Sequence, residues 1–349
     1  MIWLTWRQFR TQAVTAAAGL AAFAVVLAVT GPHLASLYAA SGLGSCHGGS
    51  CQNLAGYFDY QLTAGGYQPL YLVSVGIILL APAVIGIFWG APLIARELET
   101  GTSALAWNQS VTRTRWLAVK LSVIGLAAMA VTEALCLMQA WWAAPIGRAA
   151  GDGAPAGPLT QGRFTQLIFA THGITPLGYA AFAFTLGVTA GALIRRTIPA
   201  MAVTLAIFAA LQVAIPLWVR PNLAPADHVV VPVTSLHTGP ALADPDGSTF
   251  ALPAGNFVPG HPGAWLLSGG PVNTAGQPVS TTPAACTAMP VESNPLAFND
   301  CLASQGIREA ITYQPAGRYW PFQWTETAIY LALALALTGY CFQRLSRLS

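Results

Sequence analysis

Apolar runs dominate the pattern along this chain. Residues 13–30, 70–93, 116–139, 174–194, 200–218 and 325–342 are stretches almost free of charge. A helix rises about 1.5 Å per residue, so roughly 20 apolar residues cross a hydrocarbon core of about 30 Å. Each run therefore predicts a membrane-spanning helix. Trp3 and Trp6 precede the first run, and Tyr319, Trp320 and Trp324 precede the last. Amphipathic aromatic rings are enriched at the two membrane interfaces. The first run is longer than the 7–15 residues of a cleaved signal core, so it reads as an uncleaved span.

The polar segments between these runs predict the rest. Residues 1–12 place Ile2, Trp6, Phe9 and Ala13 at helical spacing. They read either as a short amphipathic elbow helix on the membrane surface or as a plain extension of the first span. Residues 41–66 read as a Gly-rich loop and 143–172 as a Gly/Pro-rich one. The segment 219–322 is dense in Pro and Gly, with short apolar runs at 228–233 and 249–252. That pattern predicts short strands and turns, and residues 301–313 predict a helix. The resulting organisation is an N-terminal elbow (1–12), spans one to five (13–218, with a polar loop at 94–115), an extracytoplasmic domain (219–322), and a last span with a short tail (323–349). The fold class is an all-α polytopic membrane protein of six spans, with a mixed outer domain before the last.

Composition narrows the class. Only 8% of the residues are charged, against about 25% in an ordinary soluble domain. A soluble fold of this size and a disordered chain are both excluded. The few charges are also sorted. With the N-terminus inside, the inner segments hold ten basic residues (Arg7, Arg10, Arg96, Arg113, Arg115, Lys120, Arg195, Arg196, Arg344, Arg347) against Glu97 and Glu99. The outer segments hold five basic residues against eight acids. The positive-inside rule then predicts cytoplasmic N- and C-termini. In this orientation Cys46, Cys51, Cys286 and Cys301 all lie outside, where disulfides persist. Four cysteines allow three pairings. The local pairs Cys46–Cys51 and Cys286–Cys301 are expected, each closing a loop within one exposed segment. A metal site on Cys46, His47 and Cys51 competes, but it lacks a fourth ligand.

Catalytic patterns are missing. A phosphate-binding loop needs GxxxxGK[ST], and the single lysine, Lys120, follows Trp-Leu-Ala-Val inside a span. Leu267-Ser268-Gly269-Gly270 resembles the start of an ABC ATPase signature, but it lies in the outer segment and Pro271 follows it, so it reads as a Gly-rich turn. There is no HExxH and no GxSxG. The six histidines have no metal-ligand spacing. The spread of basic residues argues against nucleic acid. No catalytic, cofactor or metal residue is expected in this chain. Two features in the spans stand out. Glu133 in the third span reads as a polar group on a substrate path or between helices, or as a carboxyl reaching toward the surface. Gly187 and Gly191 form a GxxxG pattern that suits close helix packing. Glu326 reads as a surface residue near the outer interface. Pro32 and Pro82 mark kinks or helix ends.

The loop between the second and third spans is the most polar inner segment. Gly101 suits a helix end, and Thr102 or Ser103 suits the cap of a short helix through Gln109. Such a helix between two spans reads either as a docking element or as a charged turn at the headgroups. The stretch APLIARELETGTSALAWNQSVTRTRWLAVK (91–120) resembles the same loop in ABC type 2 permeases of actinobacteria. THGITPLGYAAFAFTLGVTAGALIRRTIPAM (171–201) is similar to their fourth span, and YQPAGRYWPFQWTET (313–327) to their entry into the last.

This resemblance implies a transport subunit with no enzyme activity of its own. It implies pairing with cytoplasmic ABC ATPase subunits that bind ATP and Mg, and with a second permease copy or homologue, within membrane lipid. It implies an exporter in a bacterial plasma membrane. The family's coupling loop falls on Arg96, Glu97, Glu99, Gly101, Trp107, Arg113 and Arg115, with the two glutamates as contacts to the ATPase and Trp107 as a packing anchor. The outer domain resembles no named family. A membrane sensor or immunity protein, whose outer domain binds a peptide or antibiotic, is the alternative.

Overall fold

The computed structural model describes residues 2–46, 50–99, 112–151, 162–233, 242–243, 248–252, 258–287 and 295–346. Six helices within them are long and apolar enough to cross a membrane. They are span 1 (Phe9–Ser41), span 2 (Tyr67–Glu99), span 3 (Thr114–Trp142), span 4 (Thr175–Ile194), span 5 (Thr197–Asn222) and span 6 (Ala316–Arg344). Each contains most of one predicted apolar run, so length and hydropathy alone located them.

Span 1 belongs to one unbroken helix, Ile2–Ser41. A separate elbow over residues 1–12 is therefore not formed. An elbow needs a break before Ala13, and Arg10-Thr11-Gln12-Ala13 contains neither Pro nor Gly to make one. Phe9 instead packs edge-on against Trp89 of span 2, with ring centroids 4.8 Å apart, while Trp3, Trp6, Arg7 and Arg10 stay exposed.

The loop expected at 41–66 is largely helical. Ser50–Ala64 forms a helix that buries Ala55, Phe58 and Leu62 against spans 1, 2 and 3. The apolar positions 54, 55, 58 and 62 recur at helical spacing, and Gly56 is carried inside the helix. Gly42 and Gly66 take φ of +73°, the left-handed turn region that favours glycine. The 143–172 segment likewise contributes the helices Ala144–Gly151 and Gln166–Thr171.

Span 2 runs through Pro82 and then widens into a π-helical turn, Gly86–Gly90, before the helix resumes at Ala91–Glu99. A π turn leaves a backbone carbonyl poorly matched, and the Gln12 side chain donates to the Phe88 carbonyl at 3.1 Å. The glycines of this turn press against span 4. A Cβ on Gly187 would lie 2.2 Å from the Gly86 carbonyl oxygen, and one on Gly191 would lie 2.4 Å from that of Ala91. A Cβ on Gly90 would meet the Phe184 carbonyl oxygen at 2.5 Å. The Gly187-x-x-x-Gly191 pattern thus serves contact inside one chain, with Gly86-x-x-x-Gly90 as its counterpart.

A second compact unit holds Pro221–Tyr319 and takes Gln161–Thr165 from the segment between spans 3 and 4. Its antiparallel sheet has the order β1 (Asp227–Pro232), β5 (Arg308–Gln314), β4 (Trp265–Val272). A bulge between Leu266 and Ser268 interrupts the β4–β5 ladder. A small hairpin pairs β2 (Leu242–Ala243) with β3 (Phe250–Ala251). The helix expected over 301–313 is corrected here. The helix is Pro295–Ser304 and ends before Gly306, at φ +75°. From there the chain alternates Ile307, Glu309, Ile311 and Tyr313 inward as the central strand. Glu309 interrupts the apolar alternation, which hid the strand. Its side chain is buried and Oε1 has no hydrogen-bond partner. Burial pushes this carboxyl above its ordinary range. The Leu267–Gly270 stretch is part of β4.

Candidate functional site

Two polar clusters lie in the span unit, at its opposite ends. The first is at the end where span 1 begins and span 6 finishes. Span 2 closes there with Arg96, Glu97 and Glu99, just before residues 100–111, which fall outside the described set. Glu97 pairs with Lys120 of span 3. Lys120 is buried, and its ammonium lies 4.4 Å from the centroid of the Trp116 ring. A lysine with one carboxylate and one aromatic face replaces part of its lost hydration with those contacts. Glu99 reaches span 5: Oε1 accepts the Thr197 backbone N–H at 3.0 Å, and Oε2 accepts the Thr197 hydroxyl at 2.6 Å. Thr197 opens span 5, so this carboxylate satisfies an orphan N–H at a helix N-terminus. The turn into span 5 is only Arg195-Arg196, with Arg195 at φ 56° closing span 4.

The glutamates therefore tie the end of span 2 to the starts of spans 3 and 5, around the mouth of the 100–111 loop. Arg96 and Arg115 are exposed beside them. Arg113 opens the span 3 helix, where Thr112 caps by accepting the Arg115 N–H at 3.4 Å. Gly101 and Trp107, together with the short helix expected at 102–109, lie outside the described residues.

The second cluster joins spans 4, 5 and 6 at the other end. A π-helical turn, Ile215–Val219, and a following 3-10 turn end span 5. They deliver Arg220 to the interior, 1% exposed. Its Nε donates to Glu326 Oε2 at 2.8 Å and its Nη2 to Oε1 at 2.9 Å. Tyr179 of span 4 donates its hydroxyl to the same Oε1 at 2.5 Å. The guanidinium also sits 3.9 Å from the Phe169 ring centroid. Glu326 is 0% exposed, which corrects its reading as a surface residue. One turn earlier on span 6, Gln323 accepts the N–H groups of Ile174 and Thr175 at 3.1 and 3.0 Å, together with the Thr175 hydroxyl. Its amide donates to the carbonyls of Phe169 and His172, both at 3.1 Å. The start of span 4 is thus capped by span 6.

Neither Arg220 nor Glu326 carried a sequence signal for pairing. The π turn shifts the face on which Arg220 emerges, and the two residues are far apart in the chain. Glu133 is half-buried on span 3, and its Oε2 has no hydrogen-bond partner. In the outer unit Cys286 and Cys301 form the expected disulfide, with Cα atoms 5.9 Å apart. Cys46 is disulfide-bonded, while the Cys51 side chain lies outside the described residues. Among the described residues no cluster of His, Cys, Asp and Glu is arranged to hold a metal ion.

The comparisons with known proteins agree with this architecture. Residues 17–220, more than half of the chain, match the family described as ABC-2 membrane transporter related. No curated protein and no solved structure matches the chain. Six apolar spans and a family match that runs from span 1 through span 5 lead to one assignment: the chain belongs to the ABC-2 membrane transporter related family, whose members are permease subunits of ABC transporters.

Proposed function

We propose that this chain is the permease of an ATP-driven exporter and that its 94–115 loop receives the ATPase stroke. Membership of the family implies association with an ABC ATPase. The charge sorting supports an orientation with both termini and this loop in the cytoplasm. ATP and Mg belong to the partner ATPase, and two permease halves enclose the path. Glu133, a half-buried carboxyl in a span, is assigned to that path.

The single observation that carries the coupling reading is the pair of ties at the loop mouth. Glu97 holds span 3 through Lys120, and Glu99 holds span 5 through Thr197. A push on the loop then moves three spans together rather than bending one. Both carboxylates are already engaged within the chain, so they are assigned to positioning. Contact with the ATPase falls to the loop itself, with Gly101 and Trp107, and to Arg96, Arg113 and Arg115 at its ends.

The test is a Glu97→Gln, Glu99→Gln double variant, purified with its ATPase and reconstituted in lipid. It retains the ATPase but loses ATP-coupled transport several-fold. Unchanged transport would remove the positioning role, and loss of the ATPase itself would make the glutamates direct contacts.

A further inference from the structure

Spans 2 and 3 run antiparallel, and three contacts fix their register. Tyr71 lies against Trp142 with ring centroids 6.5 Å apart. Ile78 packs with Leu135 and Cys136. Glu97 meets Lys120. That register, with Tyr71 against Trp142 and Ile78 with Leu135 and Cys136, brings Ser74 of span 2 to the level of Gln139 of span 3. Gln139 is 0% exposed, and neither its Oε1 nor its Nε2 has a hydrogen-bond partner. Ser74 is also buried, and its hydroxyl donates back to the Tyr71 carbonyl at 2.7 Å. No hydrogen bond joins this hydroxyl to the Gln139 amide.

A buried amide with both ends unmet is costly in a low-dielectric interior. Facing polar groups just too far apart to bond are the setting in which water bridges. Buried waters make about three bonds to such groups. We propose that Gln139 and Ser74 form an internal hydrated site between spans 2 and 3. Water there accepts from the Gln139 Nε2, donates to its Oε1 and meets the Ser74 oxygen. Phe23 of span 1 packs against the apolar clusters on both sides. The site is independent of the transport reading, because it rests only on this chain's packing.

Two buried free thiols supply the test. Cys136 lies one turn from Gln139, and Cys341 lies beside the Thr189 hydroxyl at 3.2 Å. Synchrotron radiolysis makes hydroxyl radicals from bound water in place, and a radical formed next to a thiol oxidises it. In the full chain in lipid, Cys136 is oxidised several-fold faster than Cys341. Gln139→Leu brings Cys136 down to the Cys341 rate. Ser74→Ala, which leaves span 3 unaltered, lowers it in the same direction and stands alone if the leucine variant does not fold. Equal rates for the two thiols in the parent chain, or a Cys136 rate unchanged in a folded variant, overturns the site.

Discussion

Replacing Glu326 by Gln separates a structural lock from a surface charge. The carboxylate receives two hydrogen bonds from Arg220, at 2.8 and 2.9 Å, and one from Tyr179 at 2.5 Å. Both charged partners are almost wholly buried. An amide keeps the shape but turns an N–H toward the guanidinium, leaving a buried cation without its counter-charge. Removing one partner of a buried pair costs about 3–5 kcal/mol. A surface pair would lose no more than about 1 kcal/mol. Replacing both partners by Met should be close to neutral, because hydrophobic substitutes of similar volume often match a buried pair. The assay is unfolding of the lipid- or detergent-embedded chain for Glu326→Gln, Glu326→Met, Arg220→Met and the Arg220→Met, Glu326→Met double variant. The account expects a loss of about 3–5 kcal/mol in each single variant and recovery in the double, which should be far more stable than the sum of Arg220→Met and Glu326→Met. Single losses near zero, or a double variant as unstable as the sum of the singles, would refute the reasoning.

Further outcomes follow from the same structure. Gly187→Ala should prevent normal folding, because its Cβ would meet the Gly86 carbonyl oxygen at 2.2 Å; Gly76→Ala, with nothing within 4 Å, should gain about 0.5–1 kcal/mol. Folded yields by size-exclusion chromatography and thermal unfolding compare the two. Glu309 holds its proton longer when folded than when unfolded, so between the two pKa values the unfolded state binds fewer protons. Its contribution is complete below the ordinary carboxylate range and is lost as pH rises through the raised folded value. Hydrogen-exchange protection of β5, corrected for intrinsic rate, should therefore fall with rising pH, and Glu309→Gln should flatten that dependence. Reduction of the Cys286–Cys301 disulfide, with a separation of 15 residues, should cost the outer unit about 3 kcal/mol, measured by denaturant unfolding with and without reductant.

The spans were legible because a run of 20 apolar residues is a long signal with one physical meaning. The helix at Ser50–Ala64 was legible too, in Leu54, Phe58 and Leu62, but Gly56, Gly65 and Gly66 gave the segment the composition of a loop. The strand at Arg308–Gln314 was hidden by Glu309, a carboxyl on the buried face where alternation calls for an apolar residue. In the glycine seam, the span 4 half stood out among small neighbours. The span 2 half lay among Ile87, Phe88 and Trp89 and did not. At the loop mouth Glu97 and Glu99 were recognisable as functional polar groups, but not their partners. Lys120 and Thr197 are 23 and 98 residues away, and only the packing of the spans brings them close. Arg220 and Glu326 depended on a π turn, whose extra residue changes the facing side in a way helical periodicity does not record.

The central claim is that the segment between spans 2 and 3 carries the ATPase. Its most direct measurement is the amount of ATPase that co-purifies with the tagged chain, compared with a variant in which residues 101–111 are replaced by a Gly/Ser linker of equal length. The intact chain should bring down ATPase subunits and stimulate ATP hydrolysis, and the linker variant should bring down none while remaining folded. Equal recovery of ATPase by both chains, or no ATPase with the intact chain, would contradict the account.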